Sequence, residues 1–305
     1  MTRIVIVGNS ASGFSCCSAL TKFPLDTEIT VISQEDGLAY KRNLLIDYLA
    51  GNVNESELFL TTGDFYEKNK VRFLRNSKVV RVDIKKQTVA LKDNGKINYD
   101  YLIIASGQKA DIPDLPGKTK DGVFAVYELQ DVKKIRERLL FCSTVCIVGE
   151  PNLCLRLSEA IAKKDKEIKI ISRPRPDSFI QTEKAEWIDS FELTELIGEG
   201  AELKAFKLNN GKAIATSLVL FVGNYRPATE FLKETGIKEN QGYVIVDDAM
   251  RTNFENVFAC GSVCKNENYP QKEKSWEDGA KEGELVAAGI VDFLERGKTI
   301  CQQTY

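Results

Sequence analysis

From Arg3 the sequence RIVIV is a β-branched run, the pattern of a strand buried on both faces of a parallel sheet. The turn Gly8 to Gly13, GNSASG, follows, and then FSCCSALTKF, whose apolar positions recur at helical spacing. A second strand, EITVIS, comes after Pro24. The same strand, turn, helix and strand outline returns as TVCIV, Gly149, LRLSEAIAKK and EIKIIS. This degenerate duplication predicts two nucleotide-type folds in place of one large sheet.

Between the two units the alternation from Val71 to Leu91, with the turn signal Asp93-Asn94-Gly95, predicts a small antiparallel meander. Tyr101 to Ala105, YLIIA, reads as a buried strand ending at Ser106-Gly107. The stretch from Asp111 to Gly122, with Pro113, Pro116 and Gly117, reads as a domain crossing. A second meander pattern runs from Ala201 to Gly223 around Asn210-Gly211. The last strand is VFACG, Val257 to Gly261, with a helix after it from about Gly279 to Leu294. The expected fold class is α/β: two Rossmann-like domains, the second inserted in the first, each with a small antiparallel meander. The boundaries drawn are 1–116 with 225–305 for the discontinuous first domain and 117–224 for the inserted one.

Composition narrows the function. With 305 residues, 43% hydrophobic and 28% charged, the chain has room for two separate cores. A net charge of -2 without a basic stripe gives no footprint for nucleic acid. No apolar run approaches the roughly 20 residues that span a bilayer. The start, MTRIVIVGNS, has no leader pattern, so a cytoplasmic location is expected. There is no histidine, which removes imidazole as base, shuttle or metal ligand. The eight cysteines include no CxxC, and most are expected to be buried packing residues; no metal site is expected.

Glycines at the end of a parallel strand permit a tight turn, a close phosphate and close helix packing. Gly8 and Gly13 take the first and third such places. Ser10 takes the second, where its hydroxyl narrows the gap and can also donate to phosphate. Glu35, just past the second strand, can accept from a ribose hydroxyl. By itself this motif fits a non-binding turn equally well, and Glu35 fits a solvated loop carboxylate.

Taken together, IVIVGNSASG, VISQEDGLAYKRNLLIDYLAG, YDYLIIASGQKADIPDLPG and NVFACGSV with WEDGAKEG resemble the pyridine nucleotide-disulfide oxidoreductase superfamily of flavoproteins. The nearest branch is that of NADH:rubredoxin reductases and nitrite reductase large-subunit flavin domains. The resemblance implies that the first unit binds FAD and the second, inserted unit binds NAD(P)H. It puts Gly8, Ser10 and Gly13 at the FAD pyrophosphate, Glu35 at the adenosine ribose and Val79 at the adenine. It puts Lys41 and Arg42 in the flavin-side loop, with Arg42 at the diphosphate, and Ala105, Ser106 and Gly107 in the turn that approaches FAD. Gly261 and Ser262 match a glycine-aspartate pair at the ribityl chain, and Trp276 and the helix from about Gly279 resemble the element whose N-terminus faces the flavin. Serine at 262 in place of aspartate implies looser FAD binding. Each residue also has a plainer reading: Lys41 and Arg42 as a solvated pair, residues 105 to 107 as a strand-ending turn, Trp276 as core.

The second loop departs further from the family pattern GxGxxGxExA. Gly149 remains, but Pro151 and Cys154 replace glycines and Arg156 replaces a glutamate. Glu150 adds a negative charge where pyrophosphate would lie, and Ser172-Arg173-Pro174-Arg175 lacks the ribose-binding acid. Asp47 stands where some relatives carry a flavin-side lysine. The resemblance thus implies a FAD-dependent electron-transfer oxidoreductase with no side-chain acid or nucleophile, without ordinary NAD(P)H binding, and with a redox partner protein or another subunit. Two alternatives are an NAD(P)H-dependent reductase of a small redox protein and a non-catalytic scaffold or regulatory subunit.

Overall fold

The computed structural model describes residues 1–24, 26–268 and 274–302, with side chains through 295. Ten strands form two parallel sheets: β1 (Thr2–Val7), β2 (Thr27–Ile32), β3 (Arg72–Leu74), β4 (Tyr101–Ile104), β5 (Val123–Ala125), β6 (Thr144–Gly149), β7 (Glu167–Ile171), β8 (Ala185–Ile188), β9 (Leu218–Val222) and β10 (Val257–Ala259). The helices that bear on function are α1 (Ala11–Leu20), α2 (Pro151–Ala162) and α3 (Trp276–Gln302).

The first sheet has the order β10-β4-β1-β2-β3 and the second β8-β7-β6-β9-β5. The repeated outline is therefore a repeated topology: β6, β7, β8 and β9 stand to one another as β1, β2, β3 and β4 do. The fifth strand differs in origin. Beside β4 lies β10, which the chain reaches only after completing the second sheet, whereas beside β9 lies β5, which precedes it. An insertion produces this pattern, because a strand deferred past the inserted unit must return to finish the first sheet.

The chain divides into two compact units, one of Met1–Lys41, Phe59–Gln108 and Pro227–Tyr305, the other of Arg42–Leu58 and Lys109–Arg226. In the first, Ile4, Ile6, Val31, Leu102, Ile103, Ile104 and Phe258 are buried around the parallel sheet, as continuous β-branched strands require. In the second, Val145, Ile147, Ile168, Ile170, Leu218 and Leu220 do the same.

Two meander expectations are corrected. Arg72–Leu74 pairs in parallel with β2 and closes the first sheet, so the antiparallel meander begins only at Val79 and runs through Val79–Asp83, Thr88–Leu91 and Lys96–Asn98. Likewise LVLFV, read as the end of the second meander, is β9, buried along its whole length and paired in parallel with β6. Its place in the meander is taken by Leu193–Glu199, paired with Glu202–Leu208. Parallel partners distinguish both strands: Leu218–Val222 is also buried throughout, whereas Arg72–Leu74 is a half-exposed edge strand that its own pattern does not set apart from the antiparallel neighbours. The last helix begins at Trp276, three residues before the expected start. Ser275 and Asp278 cap it reciprocally, with Ser275 N–H donating to Asp278 Oδ2 at 3.0 Å and Asp278 N–H to Ser275 Oγ at 3.1 Å.

Candidate functional site

In open parallel α/β sheets, ligands gather at the carboxyl ends of the strands. In the first unit that edge brings Gly8, Ala105 and Gly261 side by side. Val7 pairs with Ile104, Ala105 N–H donates to the Val7 carbonyl at 2.8 Å, and Cys260 N–H donates to the Ile104 carbonyl at 3.0 Å. The approach is so close that a Cβ on Gly8, at φ +115°, would meet the Ala105 oxygen at 2.0 Å, and one on Gly13 would meet the Gly8 oxygen at 2.1 Å. Gly261, at φ +83°, is pressed on α1, where a Cβ would fall 2.4 Å from Ser12 Oγ. Ser262 and Gly107 face one another, Ser262 Oγ lying 3.5 Å from a Cβ built on Gly107. Ser106 is committed to the protein, its hydroxyl donating to the Ala228 carbonyl at 2.8 Å.

The start of α1 is open. Ser10 is its N-cap residue and makes no side-chain cap, and the helix has no acidic residue in its first turn. Its first N–H groups have no intrahelical acceptor by geometry and carry the positive end of the helix dipole. Asn9 adds a donor that sequence reasoning missed. Tyr66 donates to Asn9 Oδ1 at 2.7 Å and so orients the amide, leaving Nδ2 buried without a protein partner. Nothing in the glycine pattern marks position 9, and Tyr66 is remote in sequence. These donors, with the glycine-lined approach, fit a dinucleotide pyrophosphate.

The other expected residues divide. Glu35 lies just beyond β2 and accepts from Tyr40 Oη at 2.7 Å. Lys41 ends the first stretch of this unit and is half-buried. Val79 is buried and opens the antiparallel meander, paired with Leu91. Trp276 is the first residue of α3, and its indole N–H is buried without a protein partner. Arg42 belongs to the second unit, where it donates to the Tyr127 carbonyl and lies over the Tyr127 ring at 4.3 Å.

The corresponding turn of the second unit is built differently. Gly149, at φ +149°, follows the same rule, since a Cβ there would meet the Val222 oxygen at 1.7 Å. But Glu150 is the N-cap of α2, and its carboxylate turns back onto the helix start. Oε1 accepts from Asn152 N–H at 3.0 Å and from Asn152 Nδ2 at 3.0 Å, and Oε2 accepts from Leu153 N–H at 2.8 Å. Pro151, at the first helical position, has no N–H to give. Gly223 leaves room for this arrangement, as its Cβ would sit 2.3 Å from that of Glu150. Asp47 and Arg156, two separate departures from the family pattern, are brought together: Arg156 Nη2 donates to Asp47 Oδ2 at 3.5 Å.

Among the described residues no cysteine carries a reactive thiol. The seven whose side chains are described are free and buried. Burial pushes Cys17, Cys154 and Cys264 up to about 12, and Cys16, Cys146 and Cys260 upward as well, so the thiolate is absent near neutrality. No group of histidine, cysteine or carboxylate side chains among the described residues could hold a metal ion, and none of their helices is long and apolar enough to cross a membrane.

Two Rossmann-like units on parallel sheets, the first with an open glycine turn, define a protein built from two nucleotide-binding-type folds. The chain belongs to the pyridine nucleotide-disulphide oxidoreductase family, whose model matches residues 2–283. It is 25% identical to an NADH oxidase of Methanocaldococcus jannaschii, over 90% of this chain and 65% of that protein. It is 28% identical to an NADH-rubredoxin oxidoreductase of Clostridium acetobutylicum, over 87% of this chain and 68% of that one. The chain thus spans about two thirds of the length of these relatives. Among solved structures, an NAD-dependent persulfide reductase from A. fulgidus shares the fold with a TM-score of 0.85 at 20% identity, covering 94% of this chain and 58% of that one.

Proposed function

We propose that the chain is a FAD-dependent electron-transfer oxidoreductase that exchanges electrons with a redox partner protein or another subunit and does not bind NAD(P)H in the ordinary way. The observation that carries the nucleotide half is the Glu150 cap. A pyrophosphate at α2 needs N–H donors, but Asn152 and Leu153 already give theirs to Glu150, and Pro151 has none. Glu150 also brings a charge of the same sign as phosphate. Admitting a dinucleotide means releasing two charge-assisted hydrogen bonds, worth roughly 1.5–3 kcal/mol each. Each is a loss of about tenfold or more in affinity.

FAD, when bound, would supply the redox chemistry. This chain's residues would bind and orient it: the first N–H groups of α1 and the Asn9 amide toward the pyrophosphate, Glu35 toward the ribose, and the turns at Ala105–Gly107 and Gly261–Ser262 along the flavin side. With no histidine in the chain and the described thiols held protonated, no side chain is assigned as acid, base or nucleophile. A rubredoxin-type partner is supported by the similarity to the NADH-rubredoxin oxidoreductase.

A second reading, an NAD(P)H-dependent reductase, is favoured by the NADH in both curated relatives' names. One experiment separates the two. The purified protein is expected to show FAD absorption bands that persist through anaerobic NADH and NADPH and bleach with dithionite. Glu150→Ala, which clears the start of α2, is expected to gain nucleotide reduction. Prompt bleaching of the natural chain by either nucleotide would establish the second reading.

A further inference from the structure

We propose that Lys274 and Glu282 are positioning residues for the flavin side of the first unit, holding the Gly261–Ser262 turn where the family's carboxylate is replaced by serine. The inference rests on reading that unit as the FAD site. Glu282 Oε2 accepts from the Gly261 N–H at 2.7 Å, while Lys274 Nζ donates to the Gly261 carbonyl at 3.0 Å and the Cys264 carbonyl at 2.9 Å. The two side chains close on one another at 2.8 Å, with exposures of 22% and 18%. Both polar groups of Gly261 are thus gripped by one ion pair withdrawn from most of the water.

Such a pair is a poor stabiliser, because the loss of hydration offsets much of the attraction; what it supplies is a single geometry. The turn needs one. Gly261 is wedged against Ser12, and its backbone sets where Ser262 points. A long carboxylate at 262 could reach a ligand hydroxyl from several backbone positions, whereas a serine hydroxyl is shorter and depends on the backbone being held. Glu282 and Lys274 do this without adding net charge beside a phosphate-bearing ligand. Lys274 precedes α3 and Glu282 lies about two turns into it, so the helix start and the turn are fastened together.

The test uses the full chain as apoprotein. FAD affinity is read from quenching of flavin fluorescence, the environment from the shape of the bound flavin absorption band, and apoprotein stability from thermal unfolding. Glu282→Ala is expected to weaken FAD binding about 30-fold and alter the band shape, and Glu282→Gln, which keeps an acceptor for Gly261, less than tenfold. Adding Ser262→Asp to Glu282→Ala should recover about tenfold in affinity while leaving the apoprotein melting temperature where Glu282→Ala put it. If the alanine variant does not accumulate, Lys274→Met serves, with an expected loss of about tenfold. Affinity within twofold of the natural chain in Glu282→Ala, or no recovery on restoring the carboxylate, overturns the inference. A natural chain that takes up no FAD overturns the FAD reading first and this inference with it.

Discussion

Gly8 and Gly149 stand at the same point of the repeated strand, turn and helix outline, and each is fixed there by backbone against backbone. The glycine that survives in the second loop is accordingly no sign of nucleotide binding. With a Cβ 1.7 Å from the Val222 oxygen and φ at +149°, Gly149→Ala is expected to cost about 3 kcal/mol or more in denaturant unfolding, with FAD affinity unchanged. A cost under about 1 kcal/mol would show that the strand ends are free to part. The informative residue of that loop is Glu150, whose sequence reading as an unfavourable charge understated its role: it is also the cap. Asp47 and Arg156 read separately as two losses, and only the fold shows them as one pair.

At the scale of elements, α1 and α2 share a topology and differ at their first turns. One leaves its N–H groups uncommitted; the other satisfies them internally. That contrast was half legible, since Pro151 and Glu150 could be placed in sequence but the direction of the Glu150 side chain could not. The pairing of β1 with β4 carries a different device. Arg3 donates to Asp100 from Nη2 at 2.7 Å and from its backbone N–H at 2.7 Å. The hydrogen bond from the Arg3 guanidinium holds the Asp100 carboxyl below its ordinary range. A depressed carboxyl contributes stability above its unfolded value, about 3.9, and loses it as pH falls through the folded value. Asp100→Asn should therefore flatten the fall of melting temperature between about pH 5 and pH 3. The side chains are 39% and 35% exposed, so the effect is limited to about 1 kcal/mol. An unchanged acid slope would show that the pair contributes nothing.

For the whole molecule, the proposed cofactor gives a test that needs no electron transfer. A ligand at about 100 times its dissociation constant adds about 2.7 kcal/mol to the state that binds it. FAD is expected to slow amide exchange in 1–24, 26–41, 59–108, 227–268 and 274–302 and to leave 109–226 unchanged. Slowing in 42–58 as well would bring Arg42 into the site in the way the family resemblance implies. Slowing throughout 109–226 would mean that the second unit responds to the same ligand.

The sequence by itself determined the repeated α/β outline, the insertion and the family, because strand burial, helical spacing and turn glycines are local signals written in consecutive residues. It also excluded imidazole chemistry outright. The tertiary structure decided which strands join the parallel sheets, since Arg72–Leu74 and Leu218–Val222 are assigned by their partners and not by their own pattern. It also decided the contents of the sites. Tyr66 on Asn9, Lys274 and Glu282 on Gly261, and Arg156 on Asp47 are contacts between residues distant in the chain, and hydrogen bonds of that kind leave no periodicity to read.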